Sequence, residues 1–399
     1  MKKRNGKIDF LRLFFAVIIV LHHSRYVLGY EESIFIGGSL AVEFFFIVSG
    51  YLMMAHIAKL EGAKRPAARL DAGNESNVSG VEDMRLGSET YHYLMRKIRG
   101  FLSEFLFAVV IGFLFTAAAE RWSAAETLQH FIQNFGEYTL LKMSGIFQNG
   151  IDGVMWYLSA MLIAMAILYP LIRRYPDMME HVGLPLITIL ILGFLCQMED
   201  SPRDPTVWMG IAYKGLLRAI AEISLGGICY LACRHFKALR LSRAGKGLVT
   251  AAEILCYALP VGYMYLQKPS RYDYFFIFLL FLGVLLSFSG QGLLAGVFDE
   301  DVAAGSATPT KKNPATRKSL WSLCSGYSTA LFLSHIYFAQ HINAIFAEGR
   351  YSAAFRMAWY LGLSFLNGFV VMKLSGLVRE KSGRLRSFFT GIFTTNAAG

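Results

Sequence analysis

Apolar runs long enough to cross a bilayer recur from one end of the chain to the other, separated by polar stretches of loop length. A helix needs about 20 mainly apolar residues to span the hydrocarbon. On that measure ten spans are predicted, near 8–29, 39–58, 100–119, 153–172, 183–198, 214–233, 247–266, 274–297, 321–346 and 355–378. The loop between the first two is short, so they are expected to pack as antiparallel neighbours. Residues 123–147 are too polar to span and read as an amphipathic helix on the membrane surface. Residues 61–90 and 299–318 are rich in small and charged residues with few apolar anchors, and read as poorly ordered loops. The pattern predicts an all-α fold: one polytopic transmembrane bundle over residues 1–380 and a short tail over 381–399.

Composition agrees. Of the 399 residues, 55% are hydrophobic and only 17% charged, against about 25% charged in an ordinary soluble protein. A water-soluble enzyme, a disulfide-rich secreted module and a disordered hub are excluded. The formal net charge of +11 would in a soluble protein raise the question of nucleic acid. Here most of the 39 Lys and Arg residues collect in alternate loops, including the N-terminus and the tail. The positive-inside rule then puts both termini in the cytoplasm of a multi-pass cell-membrane protein. Anionic lipid accounts for the basic excess, with no nucleic-acid partner. The first span is not a cleavable signal peptide, because it carries Asp9, Arg12, His22 and His23 and lacks a small-residue cleavage site. The five cysteines lie in or beside apolar segments and read as packing residues; no His/Cys spacing suggests a metal.

Ionisable groups inside spans are costly, by at least about 2.5–3.5 kcal/mol at mid-bilayer, and therefore informative. Arg12 and His23 are eleven residues apart on the first span, so a helix places them on one side, about 16 Å apart along its axis. That geometry suits a ligand with an anionic head and a reactive end deeper in the membrane; the bland reading is a snorkelling arginine and a packed histidine. His22 points about 100° away and reads as structural. Glu43, on the second span, falls at similar depth to His23 and is expected to accept an imidazole N–H, the arrangement of a general base. Ser49–Gly50 reads as a close helix contact. Arg96, Lys97 and Arg99 either hold phosphates or simply follow from topology. Arg218 and Glu222 form an (i, i+4) pair of architectural character. His335 is a second intramembrane histidine able to face the first across the bundle.

These residues resemble the signatures of acyltransferase family 3, polytopic membrane acyltransferases that modify surface polysaccharides and other exported molecules. Arg12 and His23 match the family's Arg, ten residues, His pattern. Val42–Glu43–Phe44–Phe45–Phe46–Ile47–Val48–Ser49–Gly50 matches its acidic, Phe-rich Ser-Gly run, with Glu in place of the commoner Asp. Arg96 and Arg99 resemble its RxxR element, Trp156–Tyr157–Leu158–Ser159 its Trp-x-Leu-Ser stretch, and His335 its late-helix histidine. The acidic residue that often follows the last stretch is replaced here by Ala160.

The resemblance implies an acyl-CoA donor, most often acetyl-CoA, with no metal, and an envelope carbohydrate or lipid-linked glycan as hydroxyl acceptor. It assigns the donor's phosphates to Arg12, Arg96, Lys97 and Arg99, catalysis to His23, Glu43 and His335, with His23 acting as general base or briefly carrying the acyl group, and the acceptor side to Trp156, Tyr157 and Ser159. The alternatives from other classes are a transporter or flippase for an anionic amphiphile, and a lipid-binding sensor whose histidines report pH.

Overall fold

The computed structural model describes residues 5–29, 32–67, 78–146, 153–298 and 320–395. Helix α1 runs Gly6–His22, capped by Asn5, whose side chain accepts the Ile8 N–H. A single helical turn, α2 (Arg25–Leu28), follows. Next come α3 (Ala41–Ala67), α4 (Val78–Ala119), α5 (Ala124–Gln133) and α6 (Phe135–Tyr138). Then follow α7 (Trp156–Arg174), α8 (Pro176–Met178), α9 (Leu184–Met198), α10 (Lys214–Lys237), α11 (Arg243–Leu266) and α12 (Tyr272–Ser289). Helices α13 (Leu320–Ser334), α14 (Ile336–Ile345) and α15 (Ala353–Thr395) close the chain. Among the described residues there is no strand, and nine helical segments are long and apolar enough to cross a membrane. The fold is an all-α polytopic bundle.

The remaining expected span, 321–346, is divided into α13 and α14 at His335. Its cause is local. Ser334 Oγ donates to the Ala330 carbonyl at 2.7 Å, and His335 Nδ1 lies 2.9 Å from the Phe332 carbonyl and 3.1 Å from that of Leu331. Two side chains thus draw on carbonyls of the preceding turn, which bends a helix.

Part of the expected loop 61–90 is corrected: α3 continues to Ala67 and α4 begins at Val78. Charge pairing makes that extension stable. Arg173 Nε donates to Glu89 at 2.7 Å, Tyr169 donates to Glu89 at 2.8 Å, and Arg173 also reaches Glu61 at 3.2 Å. The centre of that loop, and the expected loop 299–318, lie outside the described residues. The expected tail begins within α15, which continues to Thr395. Helix α5 forms behind a capping box of Ser123 and Glu126. Its exposed Leu128, Phe131 and Ile132, continued by Phe135, make one apolar stripe at helical spacing.

Helices α3 and α10 form the centre, with α10 also against α7, α9 and α12. Their backbones meet at two glycines. A Cβ on Gly226 would strike the Ile47 carbonyl and come within 2.8 Å of Gly50 Cα, while one on Gly50 would strike the Ile223 carbonyl. Only glycine allows that approach, so the small pair on the second span serves close packing. Helix α1 lies against α3 and, more extensively, against α13. The second contact builds the site.

Candidate active site

Arg12 on α1 and His23 just past its end both face the divided helix. Arg12 Nη1 donates to Ser325 Oγ at 3.5 Å, and Ser328 Oγ donates to the Arg12 carbonyl at 3.0 Å, both on α13. Three turns further along α1, His23 Nδ1 lies 3.0 Å from Nε2 of His335 at the break. The predicted shared side of Arg12 and His23 is therefore a seam between α1 and the α13–α14 helix pair.

The hydrogen bonds settle where the protons sit when both rings are neutral. His335 Nδ1 faces only carbonyl oxygens, which accept, so it carries hydrogen and its Nε2 is a lone pair. The contact to His23 then requires hydrogen on His23 Nδ1, shared with the Ile19 carbonyl at 2.9 Å. His23 Nε2 is left as a lone pair. His335 is fully buried, while His23 lines a cavity, so the lone pair available to a substrate belongs to His23. His22, by contrast, bonds the Phe35 carbonyl at 2.6 Å and ties α1 to the following loop.

Glu43 does not orient His23. It is fully buried and accepts a hydrogen bond from Arg218 Nη2, and among the described residues no hydrogen bond joins it to His23. Arg218 also lies 3.9 Å from Glu222, so the expected (i, i+4) pair is a three-residue cluster, with the guanidinium over the Trp156 ring at 5.1 Å. A permanently charged guanidinium attracts a carboxylate more strongly than a neutral imidazole does in a low-dielectric interior. His335 takes the orienting place that the sequence suggested for Glu43.

A series of adjoining cavities runs along this seam. A basal cavity of about 980 Å³ lies at the N-terminal end of α1, lined by Lys7, Arg12, Arg234 and Lys237 among others. Arg12 and Leu52 also line an inner cavity of about 240 Å³, together with Lys97, Ser49 and Tyr157. Phe332 separates that space from a third, of about 80 Å³, which holds His22, His23, Trp156 and Arg218. The Phe332 ring packs against Tyr157 (centroids 5.6 Å apart) and Phe45 (6.2 Å). Arg25, Arg203 and Asp204 connect the third space to an outer vestibule of about 490 Å³.

The remaining sequence-predicted residues divide. Tyr157 faces the inner cavity, where its hydroxyl lies 3.5 Å from Ser49 Oγ, and Trp156 faces the histidine cavity. Ser159 is fully buried and accepts the Met143 N–H at 2.9 Å, so it fastens the preceding turn to α7. Arg96 and Arg99 are exposed and line none of the four cavities; Lys97, between them, lines the inner one. Lys7, Arg234 and Lys237 were not singled out by the sequence, where they look like ordinary basic residues at span ends. Lys7 is held by a 2.9 Å ion pair to Glu253, itself bonded by Ser287 at 2.5 Å.

The fold and the site together are those of a polytopic membrane protein with a hydrogen-bonded histidine pair inside the bundle and cavities bordered by basic residues on either side of it. A family model described as an acyltransferase domain matches residues 5–373. The chain belongs to acyltransferase family 3, and it is a multi-pass membrane acyltransferase. Comparisons with curated proteins and with solved structures returned no match.

Proposed function

We propose that the protein transfers an acyl group, in the simplest case acetyl, from cytoplasmic acyl-CoA to a hydroxyl of an envelope or exported glycan or its lipid-linked precursor. The observation that carries this reading is the series of adjoining cavities leading from Lys7, Arg12, Arg234 and Lys237 past Phe332 to His23. Guanidinium and ammonium groups suit the phosphates of a coenzyme A at the basal end. The positive-inside rule assigns that end to the cytoplasm and both termini with it. The inner cavity then takes the slender arm with its thioester, and Arg12 marks its entrance.

His23 Nε2 removes the proton of the acceptor hydroxyl as its oxygen attacks the thioester carbonyl. The new ester C–O bond forms, the C–S bond breaks, and the imidazolium returns its proton to the departing thiolate. His335 holds the ring and accepts from Nδ1, so it strengthens the base without touching substrate. Family membership favours this reaction over the transporter and sensor alternatives.

Purified protein in nanodiscs is expected to release free thiol from acetyl-CoA when a glycan acceptor is supplied. Arg12→Gln is expected to raise KM for the donor by about tenfold, the loss of one charge-assisted phosphate contact, with a smaller change in kcat. An unchanged donor KM would remove Arg12 from the phosphate site.

A further inference from the structure

The outer vestibule is built from four residues: Arg25, Tyr26, Arg203 and Asp204. Three of them, Arg25, Arg203 and Asp204, also line the histidine cavity, so whatever occupies the vestibule adjoins the space that His23 lines. Both rims are fixed by other parts of the bundle. On one side, α2 is held by Arg356, which donates to the Val27 carbonyl at 3.0 Å, and by Asn343, which donates to the Tyr26 carbonyl at 2.9 Å. On the other, Ser201 Oγ donates to Asp273 at 2.7 Å and accepts the Arg203 N–H at 3.2 Å. The Gly215 N–H bonds the Pro205 carbonyl at 2.8 Å, and Asp204 between these ties sits at φ 58°. Left-handed backbone at a residue other than glycine marks a loop held in place by its surroundings.

Two guanidinium groups brought to one cavity repel each other. Burial first, and then the nearby Arg25, push Arg203 below the usual guanidinium range, with Asp204 and Asp273 offsetting part of this, so the vestibule keeps an excess of positive charge. An anion bound between them relieves that repulsion, and Arg recognises planar carboxylate and phosphate by paired N–H bonds. Asp204 offers an acceptor for sugar hydroxyls. The Tyr26 ring stands between His23, parallel to it within 12°, and the Arg25 guanidinium, which lies over the ring at 5.0 Å and donates to its hydroxyl at 3.3 Å, so Tyr26 fixes Arg25 at the rim beside the histidine. From this juxtaposition we infer that the vestibule is the acceptor subsite, and that the acceptor is an anionic glycan carrying a carboxylate or phosphate beside the hydroxyl that is acylated. The inference rests on the acyltransferase reading above and narrows its acceptor.

Direct binding tests it with defined probes. Full-length protein in phosphatidylcholine nanodiscs is titrated with trigalacturonate and with neutral galactotriose. Trigalacturonate is expected to bind about tenfold or more tightly than the neutral sugar, the worth of one charge-assisted pair. Arg25→Gln and Arg203→Gln are each expected to erase the difference, with elution profile and coenzyme A affinity retained as evidence of folding. Equal binding of the two probes, binding of neither, or a preference that survives both substitutions overturns the inference. Phosphatidylglycerol in the disc supplies the competing source of anionic groups. If it displaces trigalacturonate while galactotriose binding is unaffected, the arginines serve lipid headgroups and the glycan assignment falls. Failure of wild-type protein to turn over acetyl-CoA with any glycan would instead count against the parent reading, independently of these affinities.

Discussion

Replacing His23 by alanine is expected to lower acyl transfer by about 10²–10⁴-fold, the usual worth of a positioned general base. The protein should still insert, purify and bind donor, because His23 follows the last residue of α1 and its ring contacts are His335, Tyr26 and His22. Acetyl-CoA turnover with acceptor present, measured beside donor affinity, checks the result. Turnover within a few-fold of wild type would move the base elsewhere. His335→Asn is expected to lower kcat less, and to shift the acid limb of the pH–rate profile, because its role is to hold the His23 proton in place. A purely structural role for His335 would reduce the yield of folded protein and leave that limb where it was.

Arg218→Met should have the largest effect on stability. Two buried carboxylates, Glu43 and Glu222, meet this one guanidinium. Removing it leaves buried charge uncompensated, which costs about 3–5 kcal/mol. A lower melting temperature in detergent and a smaller monodisperse fraction are the expected readouts. The triple variant Glu43→Leu, Arg218→Met, Glu222→Leu is expected to recover most of the loss, since an all-apolar replacement removes the desolvation cost together with the attraction. If Arg218→Met melts like the wild type, the cluster does not hold α3 to α10.

The bundle was legible in the sequence because lipid imposes a length and a polarity that hydropathy reads directly. The relation of Arg12 to His23 was legible too, since helix periodicity alone puts both on one side. What the sequence left open was partner choice. Depth matched Glu43 with His23, and nothing in residue order says that α10 would bring Arg218 to it; the glycine contact between α3 and α10 decides that. The division at His335 was hidden for a related reason. TALFLSHIYF reads as continuous apolar helix, and the break depends on where two side-chain donors turn. The RxxR element shows the limit of spacing arguments, since Arg96 and Arg99 share an exposed face and the lysine between them lines the cavity.

Phe332 carries a further consequence. An enzyme hollowed from both ends sits in a membrane that must keep its ion gradients. Here the two hollows stop short of each other at an aromatic septum of Phe332, Phe45 and Tyr157. Those three rings act as the electrical insulation of the molecule. A thioester arm reaches His23 only when these rings move aside, so the barrier opens with the substrate in place rather than standing open to protons and alkali ions.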